Sequence, residues 1–255
     1  MTDQTPPALP AGIELAAVER LARSAGERAM EIYRRDFAVS YKEDRSPLSE
    51  ADVAVNTLLC AELSASGLPL LSEENRSVDY AERSCWEHYW CIDPIDGTKE
   101  FIKKNDQWTI NIALIHRDTP VLGVVYAPAL DLLYSGAQGQ GAWRNGTPLP
   151  LSQTRTDYVI VASRSHLNDE TRQFIATLSP GRPTQFISMG SSLKLCLVAS
   201  GEADCYPRLA PTMEWDTAAA DAVVRCSGHM TCQVSDRTPL RYNKPDLHNP
   251  HFVVM

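Results

Sequence analysis

Trp90-Cys91-Ile92-Asp93-Pro94-Ile95-Asp96-Gly97-Thr98-Lys99-Glu100-Phe101 is the stretch on which the reading of this 255-residue chain turns. An apolar run, expected as a strand over 89–92, feeds straight into a turn carrying two carboxylates three residues apart across a proline. Asp93 and Asp96 repel each other there unless a cation lies between them. Carboxylate oxygens suit Mg²⁺, which also takes water and substrate phosphate as ligands. Backbone N–H groups after Gly97, at a helix start, suit an anion. Metal and phosphate chemistry thus meet in one short segment.

Three more acidic turns stand at predicted element ends. Leu71-Ser72-Glu73-Glu74 closes a strand, and Lys42-Glu43-Asp44-Arg45-Ser46-Pro47-Leu48-Ser49-Glu50-Ala51-Asp52 leads into a helix capped by Ser49. Glu214-Trp215-Asp216-Thr217-Ala218-Ala219-Ala220 opens another helix, with Asp216 near its positive end. Each alone reads as a solvated turn or cap. Four in one chain point to a shared site. Farther along, Gly190-Ser191-Ser192-Leu193-Lys194 places a hydroxyl and an ammonium three residues apart on one expected helix face. Arg208, after Tyr206-Pro207, offers a guanidinium that grips phosphate bidentately. Spacing alone reads these equally as a cap and surface charge. His166, in Ser163-Arg164-Ser165-His166, reads alone as a polar loop residue.

Around these motifs the pattern divides in two. Residues 1–11 read as a loose tail. Helices are expected over 13–35 and 49–63, and strands over 38–41 and 70–71, with a charged turn at 42–47. A strand-rich block follows at 89–92, 109–115, 122–126, 132–134 and 142–144, closed by an Asn145-Gly146 hairpin turn. Then strands at 158–162, 185–187 and 204–206 alternate with helices at 169–178, 191–199 and 217–225. The expected organisation is an α+β lobe over 12–155 and an α/β lobe over 156–255, sharing a cleft.

Composition narrows the function classes. With 44% hydrophobic residues the chain is long enough for a sizeable core, and no apolar run approaches membrane-spanning length. A formal charge of −8 argues against a nucleic-acid polymer as partner, and leaves room for a small anion where metal or a basic cluster inverts the field. The seven cysteines form no CxxC pair and read as reduced thiols. With no leader-like N-terminus, they point to the cytoplasm. The five tryptophans read as packing residues.

The order Leu-Ser-Glu-Glu (71–74), Asp-Pro-Ile-Asp-Gly-Thr (93–98) and Trp-Asp-Thr-Ala-Ala (215–219) resembles the inositol monophosphatase superfamily. Lys99-Glu100-Phe101, the Gly190–Lys194 segment and Tyr206-Pro207-Arg208 before Pro211-Thr212-Met213-Glu214 resemble its CysQ-type 3'(2'),5'-bisphosphate nucleotidase branch. Ser49 stands where threonine is commoner, and Ala220 where glycine is frequent.

The resemblance implies a layered α/β/α/β/α sandwich of the inositol monophosphatase and fructose-1,6-bisphosphatase type, with two or three Mg²⁺ in a lithium-sensitive site between the lobes. It implies metal ligands Glu73, Asp93, Asp96, Asp216 and the Ile95 carbonyl, and a water-activating set of Asp44, Thr98 and Glu74. Substrate contacts are implied at Asp96, Gly97, Thr98, Lys99, His166, Ser191, Lys194, Arg208 and Asp216. The implied reaction removes the 3'-phosphate of adenosine 3',5'-bisphosphate, in sulfur assimilation and recycling of that nucleotide, and extends to 3'-phosphoadenylyl sulfate. The rivals are inositol monophosphate or fructose 1,6-bisphosphate on the same fold, and a protein-interaction role with vestigial catalysis. The resemblance is compatible with a monomer or homodimer, and with peripheral attachment to the inner membrane of a bacterium.

Overall fold

A computed structural model describes residues 9–41, 47–75, 78–152, 154–162, 169–178 and 181–255. In chain order the elements are α1 (Leu15–Tyr33), β1 (Val39–Tyr41), β2 (Pro47–Ser49), α2 (Glu50–Ser64), β3 (Leu70–Ser72), α3 (Tyr80–Arg83), β4 (His88–Asp96), α4 (Thr98–Ile102), β5 (Thr109–His116), β6 (Thr119–Ala127), β7 (Leu132–Ala137), β8 (Gly141–Arg144) and β9 (Thr147–Pro148). Then come β10 (Tyr158–Ala162), α5 (Asp169–Thr177), β11 (Thr184–Ser188), α6 (Leu193–Ala199), β12 (Tyr206–Arg208), α7 (Glu214–Cys226), β13 (Thr231–Gln233) and β14 (Phe252–Val254).

Strands β3 to β9 form one seven-stranded sheet in sequence order, parallel between β3 and β4 and antiparallel elsewhere. Both faces are covered, so the central strands are buried throughout, and alternate residues enter different cores. Trp90, Ile92, Ile110, Ile112 and Val124 pack with Leu15, Ala22, Ala29, Val55 and Leu59 of α1 and α2. Tyr89, Cys91, Ala113 and Val125 pack on the other side with α6 and α7. Beyond those helices lie the parallel pair β10–β11 and the three-stranded sheet β12–β14–β13. Ile160, Cys205 and Val253 there meet Phe174 and Ile175 of α5. Three apolar clusters fill the spaces between five layers, one of them on both faces of the α6–α7 layer, giving the expected α/β/α/β/α sandwich. One core contains Leu71 and Tyr89 together with Val159, Leu193 and Trp215, so the expected lobes are joined by continuous apolar packing.

The alanine-rich start of α7 has a steric reason. A Cβ on Gly123 of β6 would lie 2.1 Å from the Ala219 carbonyl oxygen and 2.7 Å from Ala222 Cβ. Small residues on both surfaces let the helix lie on the sheet, which sets the position of Asp216 in its first turn.

The structure moves several expected boundaries. β4 does not stop at Ile92: it runs to Asp96, and a bulge between the Asp93↔Asn111 and Asp96↔Thr109 pairs absorbs Pro94, so the acidic pair lies in a strand rather than a turn. Pro47, expected in a charged turn, starts β2, while residues 42–46 of that turn lie outside the described residues. β12 starts two residues later than expected. Ser191, expected in a helix, has φ 53° and precedes α6. Among the described residues no helix is long and apolar enough to cross a membrane, and all seven cysteines are free.

Candidate active site

Oxygens of Asp93, Asp96 and Asp216 lie within 4.8 Å of one another where the large sheet meets α7. Each carboxylate is aimed by its own backbone. Asp93 is 1% exposed, and its Oδ1 accepts from the Ile95 N–H at 3.1 Å across the bulge. Asp216 occupies the third position of α7 and accepts from the Met213 N–H at 2.9 Å. Asp96 Oδ2 accepts from Ser191 Oγ at 2.5 Å, the Ser192 N–H at 2.6 Å and Asn111 Nδ2 at 3.3 Å. Ser192 Oγ and Thr109 Oγ1 in turn donate to Asn111 Oδ1 at 2.8 and 3.1 Å. Segments distant in sequence therefore converge on one oxygen.

The electrostatics fit a cation site. Burial, then the charges of Glu73, Asp96 and Asp216, hold the Asp93 carboxyl well above the usual carboxylate range. Burial and the Asp96 and Glu73 charges push Asp216 up to about 8. Glu73 begins a 3₁₀ turn (Glu73–Asn75) directly after β3, within electrostatic reach of both. An all-oxygen donor set of several carboxylates suits Mg²⁺.

Thr98 opens α4, which follows Gly97 in the left-handed region at φ 91°. Phe101 anchors that short helix against Tyr33 and Trp108, with ring centroids 4.9 and 4.8 Å apart. The Thr98 hydroxyl lies 3.3 Å from both Asp52 Oδ1 and the Ile95 carbonyl oxygen. Asp52 is 1% exposed, and burial pushes its carboxyl up to about 6 against the opposing hydrogen bonds from Ser49. Ser49 does cap α2, as expected. Glu74 shares the turn with Glu73, and its N–H donates to Ser72 Oγ at 3.2 Å.

A cavity of about 320 Å³ opens from Asp96 and Asp216 toward Ser191, Lys194 and Arg208. Lys194 is 8% exposed and its Nζ donates to the Ser191 carbonyl at 2.5 Å, with the Tyr206 ring 5.8 Å away. Burial lowers its pKa to about 8. Arg208 is held by its donations to the Ala210 and Pro211 carbonyls. Gln107 Oε1 accepts from the Gly190 N–H at 3.0 Å, and a Cβ on Gly190 would lie 2.6 Å from the Gln107 carbonyl oxygen. That close approach seats the 190–192 loop over the end of β4. Lys99 is exposed on α4, and the lysine of this segment that lines the cavity is Lys103.

The structure thus brings together Asp93, Asp96, Asp216, Gly97, Ser191, Lys194 and Arg208, with Glu73 and Thr98 at the same end of the sheet. Asp44 and His166 lie outside the described residues. Sequence reasoning missed Asp52, Asn111 and Ser192. The Ser49-x-x-Asp52 spacing signals a capping box, and nothing local in Asn111 or Ser192 signals their partners.

The inositol monophosphatase family model matches residues 14–252. The 3'(2'),5'-bisphosphate nucleotidase CysQ of Shigella flexneri is 43% identical over 221 residues, covering 84% of this chain and 88% of that protein. The protein of the same name from Escherichia coli strain K12 is 42% identical over 222 residues, with the same coverage of both. The crystal structure of CysQ from Bacteroides thetaiotaomicron superposes with a TM-score of 0.85 at 41% identity, covering 93% of this chain and 96% of that one. By sequence, fold and the carboxylates at its centre, this chain belongs to the inositol monophosphatase family.

Proposed function

We propose that the protein is a Mg²⁺-dependent 3'(2'),5'-bisphosphate nucleotidase that converts adenosine 3',5'-bisphosphate to AMP and phosphate. The observation that carries this reading is the placing of the Asp93–Asp96–Asp216 cluster and the cations Lys194 and Arg208 along one cavity. A bisphosphate needs both: oxygen ligands for a metal at the scissile phosphate, and fixed cations for the second phosphate. The CysQ-named relatives support the same substrate class.

Glu73, Asp93 and the Ile95 carbonyl would hold one Mg²⁺, and Asp93, Asp96 and Asp216 a second, with Asp93 shared. Glu74 would reach a third through water. Bound there, Mg²⁺ supplies a water of lowered pKa and neutralises charge on the leaving oxygen. Thr98, with Asp44, would orient the attacking water, and Asp44 would take its proton through the hydroxyl. Backbone N–H groups after Asp96 would receive the scissile phosphate. Ser191, Lys194 and Arg208 would hold the nucleotide side, with Lys99 and His166 as further contacts. 3'-Phosphoadenylyl sulfate carries the same 3'-phosphate and would enter the same way. Seven free thiols fit a cytoplasmic setting.

The test is phosphate release with Mg²⁺, with and without Li⁺, from adenosine 3',5'-bisphosphate, inositol 1-phosphate and fructose 1,6-bisphosphate. Preference for the nucleotide, lost with Li⁺, supports the proposal. Preference for a sugar or inositol phosphate overturns the roles given to Lys194 and Arg208. No release from any substrate favours a protein-interaction role.

A further inference from the structure

We propose that Glu100 is a specificity-determining residue whose carboxylate accepts a hydrogen bond from the hydroxyl on the carbon beside the cleaved phosphate, so that the site selects phosphate esters with a free neighbouring hydroxyl. The inference deepens the reading above and rests on its placing of the cleaved phosphate at the backbone after Asp96.

Glu100 lies in the first turn of α4, the short helix that Phe101 anchors. It is half-buried and lines the cavity together with Asp96, Gly97, Gly190 and Lys194. Its side chain runs between two glycines. A Cβ on Gly97 would lie 3.3 Å from Glu100 Oε2 and 3.5 Å from Glu100 Cβ, and a Cβ on Gly190 would lie 3.3 Å from Glu100 Cγ. Gly190 is itself tied down by its N–H donation to Gln107 Oε1. The carboxylate is thus held where the Gly97 turn meets the 190–192 loop. Among the described residues no donor or cation pairs with it. Lys103, one turn on, lines the same cavity without bonding to it, and Lys194 feels its charge while donating to the Ser191 carbonyl.

A carboxylate in that place works against an anionic substrate. A phosphate ester brings negative charge into the cavity, and an unmatched carboxylate beside it weakens binding. An ionised carboxylate only accepts hydrogen bonds, so it favours a ligand that offers it a hydrogen. On a sugar phosphate the donors are hydroxyls, and the one held nearest the phosphate is on the adjacent carbon. Glu100 Oε2 is in turn close to Gly97, where the cleaved phosphate is received. In adenosine 3',5'-bisphosphate the matching group is the 2'-hydroxyl, cis to the 3'-phosphate on the ribose. The adenine amine is at the far end of the nucleoside. A hydrogen bond to a charged acceptor is among the stronger ones, and an ester without the hydroxyl leaves the carboxylate unpaired beside the phosphate.

The test measures kcat/KM for adenosine 3',5'-bisphosphate and for its 2'-deoxy analogue with the wild type, Glu100→Gln and Glu100→Ala. If inositol 1-phosphate or fructose 1,6-bisphosphate is cleaved faster, the same comparison is made with that ester and its analogues lacking a hydroxyl beside the phosphate, so an error in the substrate reading leaves the test of Glu100 intact. The wild type is expected to prefer the hydroxylated ester by about 10- to 100-fold, the range for one hydrogen bond to a charged acceptor. Glu100→Ala should bring that ratio to within about twofold of unity, lowering kcat/KM for the hydroxylated ester and holding or raising it for the deoxy one. Glu100→Gln keeps a weaker, neutral acceptor and should fall between. A Glu100 that only balances charge in the cavity would move both esters alike and leave the ratio as it is. Tm should stay near wild type in both variants, because the carboxylate bonds to no described residue of the free protein. A wild-type ratio near unity, or a ratio unchanged in Glu100→Ala, would overturn the proposal and leave the substrate reading standing. No phosphate release from any of the esters would overturn both.

Discussion

The main-chain N–H of Ser192 donates to Asp96 Oδ2 at 2.6 Å, joining the loop before α6 to a candidate metal ligand at the end of β4. Ser191 Oγ and Asn111 Nδ2 donate to the same oxygen. Three donors on one oxygen fix the direction of the Asp96 carboxylate and leave Oδ1 as its candidate ligand atom. They also tie the Ser191–Ser192 loop to the candidate metal cluster.

Asn111→Ala removes one donor to Asp96 and the acceptor that Ser192 Oγ and Thr109 Oγ1 share. Outer-shell partners of this kind are worth about 10- to 100-fold in metal affinity or activity. The Mg²⁺ concentration for half-maximal phosphate release is expected to rise by about tenfold, with calorimetric Mg²⁺ binding weakened in parallel. An unchanged Mg²⁺ dependence would leave Asn111 with packing alone.

Asp216 links the site to stability. Its folded pKa of about 8 lies far above the ordinary value of 3.8. Between those values the folded chain binds the proton more tightly than the unfolded one. The protonated form's stabilisation is full below the unfolded pKa and is lost as pH rises through the folded one. Metal-free protein in EDTA is therefore expected to lose Tm from pH 5.5 to pH 8, and Mg²⁺ to restore more at pH 8, where protons no longer compete. Asp216→Asn keeps an acceptor for the Met213 N–H and removes a buried charge. It should be more stable than wild type without metal at pH 8, with a flatter pH dependence, and should lose more than the about 100-fold in kcat expected of an outer-shell change. Differential scanning fluorimetry across pH, with and without Mg²⁺, reads both effects.

What was legible in the chain was what sequence distance keeps together. The Asp93–Asp96 pair, the Ser49 cap, the Asn145-Gly146 turn and Asp216 at a helix start are local patterns with local causes. The Asn145 and Gly146 φ values of 46° and 79° are those the two-residue hairpin requires. Proline misled twice. Pro94 suggested that β4 ends at Ile92, where a bulge carries the strand on, and Pro207 suggested that the strand expected over 204–206 stops before it, whereas β12 runs through it to Arg208 at the edge of its sheet. Asp52 was half legible: Ser-x-x-Asp spells the cap, while the contact with Thr98 exists only after α2 and α4 meet. The donors on Asp96 come from β5 and the loop before α6, which no window of sequence joins.

Gly123→Ala tests whether α7 is seated by steric exclusion. The added methyl meets a main-chain oxygen, which cannot swing aside as a side chain would. Overpacking of this kind costs about 1–3 kcal/mol, and more where backbone must move. The shift would fall on Ala219, three residues from Asp216. Lower Tm is expected together with weaker Mg²⁺ dependence of turnover. Lower Tm with unchanged Mg²⁺ dependence would mean that the start of α7 is held by its own contacts, chiefly Glu214 with the Asn243 and Lys244 N–H groups.

The role proposed for Lys194 makes recognition of the second phosphate depend on pH. Burial, opposed by Asp96 and reinforced by Arg208, lowers its pKa to about 8 against an ordinary 10.5. Below pH 8 the ammonium is present in the free enzyme and KM for adenosine 3',5'-bisphosphate should be flat. Above pH 8 it is lost progressively, and KM should rise by up to about tenfold per pH unit, since each unit is worth 1.36 kcal/mol of differential interaction. Lys194→Met should show a raised KM without that limb. A nucleotide without the 5'-phosphate should lack the limb in both proteins. The stability sign is opposite to that of Asp216. Between pH 8 and 10.5 the unfolded chain binds the proton more tightly, so stability rises with pH as the buried cation is discharged. Lys194→Met is thus expected to be the more stable protein at pH 7, with the gap closing toward pH 10.5. A KM limb that survives in Lys194→Met would assign the titration to another group and leave Arg208 as the anchor of the second phosphate.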